Sequence, residues 1–129
     1  MMLRIALVAA ALAWGTLGEQ ENATTETPFF CNLKALTTSE RNEHLQRSKR
    51  LAESVLKTVE LADGYAFEID RDRVSLKDLA AWTDFERRCC PFFDFTLEWR
   101  RENGPVTLRL TGRDGVKPFI RSELPTIVR

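Results

Sequence analysis

The sequence predicts an α+β domain in the order helix–hairpin–helix–hairpin–helix, with a four-stranded, mainly antiparallel sheet and the helices on one face. Helix-start signals stand at Thr37 and Ser75. An Asp-Gly pair at 63–64 and an Asn-Gly-Pro run at 103–105 each separate two stretches of alternating apolar and polar residues. Because each hairpin has one apolar face, amphipathic helices are needed to cover the sheet.

The first helix is predicted to begin near Thr38, because residues 37–40 form a capping box. Its apolar face follows at helical spacing: Leu45, Leu51, Ala52, Val55 and Leu56. The spacing then changes to every second residue on both sides of the Asp-Gly turn, at Val59, Leu61, Tyr65, Phe67 and Ile69. This alternation predicts the first hairpin.

The second helix is predicted from the Ser75 cap to about Arg88, since Pro91 disfavours helical geometry in the residue before it. Alternation returns in two runs, which predict the second hairpin: Phe93, Phe95, Leu97 and Trp99, then Val106, Leu108 and Leu110. A short third helix is expected after Gly115 and should include Phe119.

The N-terminal residues predict a targeting segment followed by a linker. Residues 1–18 combine a positive charge at Arg4, an uncharged apolar run at 5–14 and small residues before a polar stretch, as in a signal peptide. We therefore expect an exported protein, periplasmic or secreted, which is membrane-anchored if this segment is not cleaved. Residues 19–30 are predicted to be a flexible linker, and residues 31–129 a single domain.

Charge and motif content exclude several function classes. Lysine plus arginine equals aspartate plus glutamate at 19 each, so the chain lacks the basic field that nucleic acid binding needs. No membrane contact is expected beyond the N-terminal segment. A phosphate-binding glycine loop, a HExxH helix and a GxSxG elbow are all missing from the sequence. The sequence thus establishes no enzymatic activity and favours a non-enzymatic role.

Three cysteines, Cys31, Cys89 and Cys90, are the distinctive chemistry of the chain. On a helical wheel Glu86 falls in the apolar stripe of the second helix, where a carboxylate is costly to bury unless it is paired or bound to a cation. His44, the one histidine, lies beside the apolar arc of the first helix. We predict that these five residues converge where the two helices meet.

Three interpretations of this cluster remain open. The leading one is a soft-metal site for zinc, copper(I) or a similar ion, held by the three cysteines with His44 or Glu86 assisting. The second is a disulfide from Cys31 to Cys89 or Cys90 in a stapled, non-enzymatic interaction module with one spare thiol. The third, a thiol-dependent redox enzyme, is least favoured, because the partial negative charge of a helix C-terminus raises a thiol pKa.

Two polar residues have simpler structural interpretations. Glu86 is expected to form an internal ion pair with Arg41, which also falls in an apolar arc. His44 is expected at the surface or edge of the first helix. In these roles Glu86 is not a catalytic acid and His44 is not a ligand.

The ERRCCPFF segment at 86–93 resembles a family of small, uncharacterised bacterial proteins. Supporting matches are DGYAF at 63–67, LRLTG at 108–112 and GVKPFI at 115–120. The resemblance covers roughly residues 31–123. It implies a bacterial origin and the extent of the domain, but no activity. Cytosolic relatives would keep their cysteines reduced, which favours metal or thiol chemistry over a purely structural disulfide.

Overall fold

The computed structural model describes residues 26–128 and confirms the predicted α+β class. The elements are α1 (Thr38–Ser54), β1 (Val55–Leu61), β2 (Gly64–Ile69), α2 (Leu76–Cys89), β3 (Asp94–Trp99), β4 (Val106–Thr111) and α3 (Val116–Glu123). A short 3-10 helix at Leu33–Ala35, which the sequence did not predict, precedes α1. The predicted signal segment lies outside the described residues, as does the first part of the predicted linker.

The four strands form one antiparallel sheet in the order β1-β2-β4-β3. In its centre, Tyr65, Phe67 and Ile69 of β2 stand opposite Leu110, Leu108 and Val106 of β4. All six of these residues are buried, and they belong to the core that the helices cover from one side. Alternation along the strands therefore predicted the buried face of the two central strands correctly.

The first strand departs from the prediction. Helix α1 ends at Ser54, so Val55, which was predicted to be helical, is the first residue of β1. A bulge between Val55 and Lys57 then shifts the register, and such an extra residue reverses which side chains face the core. As a result Thr58 stands opposite Phe67 and donates a hydrogen bond to the carbonyl oxygen of Ile127 at 2.9 Å.

Side-chain caps fix where the two long helices begin. The Thr37 hydroxyl accepts from the Glu40 backbone N–H and the Glu40 carboxylate accepts from the Thr37 N–H, which confirms the capping box. The Ser75 hydroxyl caps α2 by accepting from the Asp78 backbone N–H, and it donates to the Asp78 carboxylate. Helix α2 ends at Cys89, close to the predicted position. Among residues 26–128, no helix is long and apolar enough to cross a membrane.

Candidate functional site

Two polar contacts hold α1 against α2 on either side of the predicted cluster. The Trp82 indole N–H of α2 donates to the Ser48 hydroxyl of α1 at 2.9 Å. Near the other end, Arg88 Nη1 lies 2.8 Å from Glu40 Oε1, and this hydrogen-bonded guanidinium is the main reason that the pKa of Glu40 falls to about 2. These two contacts therefore hold α1 against α2 on both sides of the candidate residues.

His44 and Glu86 form the polar centre of this crossing. His44 Nε2 and Glu86 Oε2 are 2.7 Å apart, and the two residues are only 3% and 5% exposed. The expectation that His44 lies on the helix surface is therefore wrong, as is the expectation that Glu86 pairs with Arg41. A helical wheel shows on which face of its helix a residue lies, but not which residue of the partner helix it meets. Where α1 and α2 cross, His44 is the α1 residue that lies opposite Glu86.

The structure joins Cys31 and Cys90 in a disulfide, with an S–S distance of 2.06 Å and a Cα–Cα distance of 4.8 Å. This pairing agrees with the second interpretation of the sequence. Cys89 is left as the free cysteine. While the disulfide is intact, Cys31 and Cys90 have no thiolate to offer a metal ion, so the five predicted ligands are reduced to Cys89, His44 and Glu86.

The Cys89 thiol completes the centre. Its Sγ lies 3.9 Å from His44 Nε2 and 4.0 Å from Glu86 Oε2, and it donates to the Phe85 carbonyl oxygen at 3.3 Å. The residue is 1% exposed. Burial, followed by the nearby Glu86 carboxylate, raises the pKa of this thiol to about 11. At neutral pH the thiol therefore keeps its proton unless a cation takes the place of that proton.

The orientation of the imidazole separates two kinds of chemistry. In a nucleophilic triad the base uses one ring nitrogen for the nucleophile and the other for the carboxylate. Here the same nitrogen of His44, Nε2, is the one near both Cys89 Sγ and Glu86 Oε2, while Nδ1 is buried without a hydrogen-bond partner among residues 26–128. Sulfur, nitrogen and oxygen atoms of three residues thus lie close together in a group that could hold a metal ion, and their arrangement differs from that of a nucleophilic triad.

A cavity of about 730 Å³ opens beside this centre, and His44, Glu86 and Cys89 all line it. Its volume lies in the range of cavities that hold small ligands. No sequence pattern predicts this cavity, because one of its walls is the segment after α3, which includes Leu124 and Ile127. The position of that segment beside the site depends on tertiary contacts and not on local sequence signals.

The described residues contain two groups of possible metal ligands. His44, Glu86 and Cys89 form one, and Cys31, Glu86 and Cys90 form the other; within each group one ligand atom per residue lies within 4.8 Å of the rest. All five residues predicted from the sequence are therefore present in these two groups, and Glu86 belongs to both.

Comparison with known proteins finds no match to a family model, a curated protein or a solved structure. The resemblance of the ERRCCPFF segment to a bacterial family accordingly stays a prediction.

Proposed function

We propose that this small exported protein binds a metal ion, zinc in the disulfide-bonded state, through Cys89 Sγ, His44 Nε2 and Glu86 Oε2. The observation that carries the proposal is the convergence of these three donor atoms, 2.7 to 4.0 Å apart, in a buried place. Thiolate, imidazole and carboxylate together are a donor set that zinc accepts. Burying all three without a cation is costly.

The distances are close to those that an ion would require. Ligands at about 2.0–2.3 Å from a tetrahedral zinc ion are separated from one another by about 3.4–3.6 Å. The two sulfur distances, 3.9 and 4.0 Å, need to shorten by only a few tenths of an ångström. The 2.7 Å contact between His44 and Glu86 must lengthen instead, because the ion replaces the proton that the two groups share.

Charge also supports the proposal. A Cys89 thiolate and a Glu86 carboxylate carry two negative charges, which a divalent cation balances where both residues are at most 5% exposed. Binding releases the Cys89 proton, so the affinity should rise with pH. The pKa of about 11 for the metal-free thiol shows how strongly that proton is otherwise held.

Three protein ligands leave a fourth position on a tetrahedral ion. Since all three ligand residues line the cavity of about 730 Å³, water or a small molecule in that cavity would fill the position. We place the metal centre at the wall of a ligand-accessible cavity, and not in a closed structural site of four protein ligands.

A second candidate function is a disulfide-stapled interaction module without a metal. The Cys31–Cys90 bond favours it, because the two cysteines are 59 residues apart and the bond ties the segment before α1 to the end of α2. In this account Cys89, His44 and Glu86 are only a packed polar cluster. The two functions differ in one measurable respect, which is zinc affinity.

The test is competition for zinc between a chromophoric chelator and the untagged, disulfide-bonded protein. We expect one zinc ion per chain, and at least tenfold weaker binding after Cys89→Ser, His44→Gln or Glu86→Gln. Glu53→Gln is the matched control, because Glu53 lines the same cavity but belongs to neither ligand group. Zinc that binds no better to the wild type than to Glu86→Gln would overturn the proposal in favour of the stapled module.

A further inference from the structure

We propose that reduction of the Cys31–Cys90 disulfide converts the zinc site into a three-thiolate site that prefers copper(I). The inference rests on the proposed function for its first ligand group and adds a second group, Cys31, Glu86 and Cys90. The protein would then hold different ions in its oxidised and reduced states.

The geometry points to one combined site, because the two ligand groups share Glu86. Each group has its ligand atoms within 4.8 Å of one another, so each of the three sulfurs lies within 4.8 Å of a carboxylate oxygen of Glu86. Opening the disulfide raises the number of available thiols beside Glu86 from one to three. Soft thiolate ligands select copper(I), whereas a site with one thiolate, one imidazole and one carboxylate suits zinc.

Reduction frees Cys31 to move while Cys90 stays fixed. Cys90 is fully buried at the end of α2, whereas Cys31 is partly exposed and precedes the first regular helix. Two sulfurs bound to one ion lie farther apart than two sulfurs that are joined by a covalent bond. A small displacement of Cys31 would supply this separation.

Other contacts keep Cys31 near the site once the disulfide is broken. The Asn32 N–H donates to the Cys89 carbonyl oxygen at 2.8 Å. On the other side, the Phe29 ring packs edge-on against Phe92, with the ring centroids 5.1 Å apart. The segment that carries Cys31 is therefore held at both sides by groups that reduction does not alter.

The cavity gives a reductant access to the bond. Cys31 lines the cavity and Cys90 does not, so an external small-molecule thiolate would attack Cys31 Sγ. That attack forms a mixed disulfide at Cys31 and releases Cys90 as a thiolate, which takes up a proton. A second external thiolate attacks the outer sulfur of the mixed disulfide. Overall, two external thiols become one external disulfide, and the protein gains two electrons and two protons as two thiols.

The experiment measures copper(I) affinity under anaerobic conditions by competition with bicinchoninate. Protein in the disulfide-bonded form is compared with protein reduced by a phosphine and then freed of the reductant. We expect at least 100-fold tighter copper(I) binding after reduction. Reduced Cys31→Ser keeps two thiols, and it should bind copper(I) at least tenfold more weakly than the reduced wild type. Reduced Ser39→Ala, a substitution in the first turn of α1, is the control. Ser39 belongs to neither ligand group, so this variant should keep the full gain.

Equal copper(I) affinity in the two redox states would overturn the inference, as would loss of the near-ultraviolet circular dichroism of the folded chain on reduction. Zinc affinity of the oxidised protein is measured in parallel, and it reports on the proposed function alone. Zinc binding without a copper(I) gain contradicts only the redox-dependent site. A copper(I) gain without zinc binding supports the three-thiolate site and contradicts only the zinc site of the oxidised state.

Discussion

Replacing Glu86 with leucine removes the oxygen that lies 2.7 Å from His44 Nε2 and leaves the imidazole buried. An unsatisfied buried polar group costs about 1–3 kcal/mol, so we expect Glu86→Leu to lower the free energy of unfolding by about 2 kcal/mol. His44→Leu leaves a carboxylate that is 5% exposed without its partner, and breaking a buried pair in this way costs about 3–5 kcal/mol. Replacing both residues removes the polar groups together, and the double variant should lie within about 1 kcal/mol of the wild type.

Urea unfolding of the four proteins, all metal-free and disulfide-bonded, measures these differences and their coupling. The single variants should lose several kcal/mol in sum, and the double variant much less. Zinc should raise the unfolding midpoint of the wild type and leave that of the double variant unchanged. A double variant whose loss equals the sum of the two single losses would contradict this prediction, because it would show that the two side chains do not depend on each other.

Two further predictions concern the cysteines. Raising the pKa of Cys89 from 9.0 to about 11 lowers its thiolate fraction at neutral pH by about 100-fold, so iodoacetamide should label the metal-free folded protein at least that much more slowly than a model thiol. Since the folded thiol keeps its proton at a pH where the unfolded one loses it, the free energy of unfolding should fall as pH rises from 9 to 11. Labelling as fast as that of the model thiol, or a free energy of unfolding that is independent of pH in this window, would contradict the burial of Cys89. Replacing Cys31 and Cys90 together by alanine opens a loop whose ends are 59 residues apart, and should cost about 4 kcal/mol on the chain-entropy estimate. Urea unfolding checks this, and a loss below about 1 kcal/mol would show that the contacts of Asn32 and Phe29 already hold the segment.

Local signals determined most of the fold. The capping residues Thr37 and Ser75 and the tight turn just before Gly64, the first residue of β2, act within a few positions of the chain, so their effects are visible in the sequence. The bulge in β1 was not predictable, because it depends on how that strand pairs with β2 and not on its own alternation. It turns Thr58 toward the core side and leaves Val59 43% exposed.

The sequence predicted which residues form the candidate site, but not which of them contact one another. His44 and Glu86 were identified because they are polar residues in or beside the apolar faces of the first two predicted helices. The structure brings both together with the cysteines. Which sulfur joins Cys31 depends on the exact end of α2, where Cys90 and not Cys89 meets it. Helical wheels lack that detail, and the cavity wall formed by the chain after α3 has no local signal at all.

X-ray absorption at the zinc edge of the disulfide-bonded, zinc-loaded protein shows whether Cys89 binds the ion together with nitrogen and oxygen ligands. We expect one sulfur at about 2.3 Å, from Cys89, with nitrogen and oxygen ligands at about 2.0–2.2 Å. In Cys89→Ser the sulfur contribution should disappear, and in the matched control Glu53→Gln it should remain. A zinc ion with no sulfur ligand in the wild type, or a spectrum that Cys89→Ser leaves unchanged, would show that Cys89 does not bind the metal.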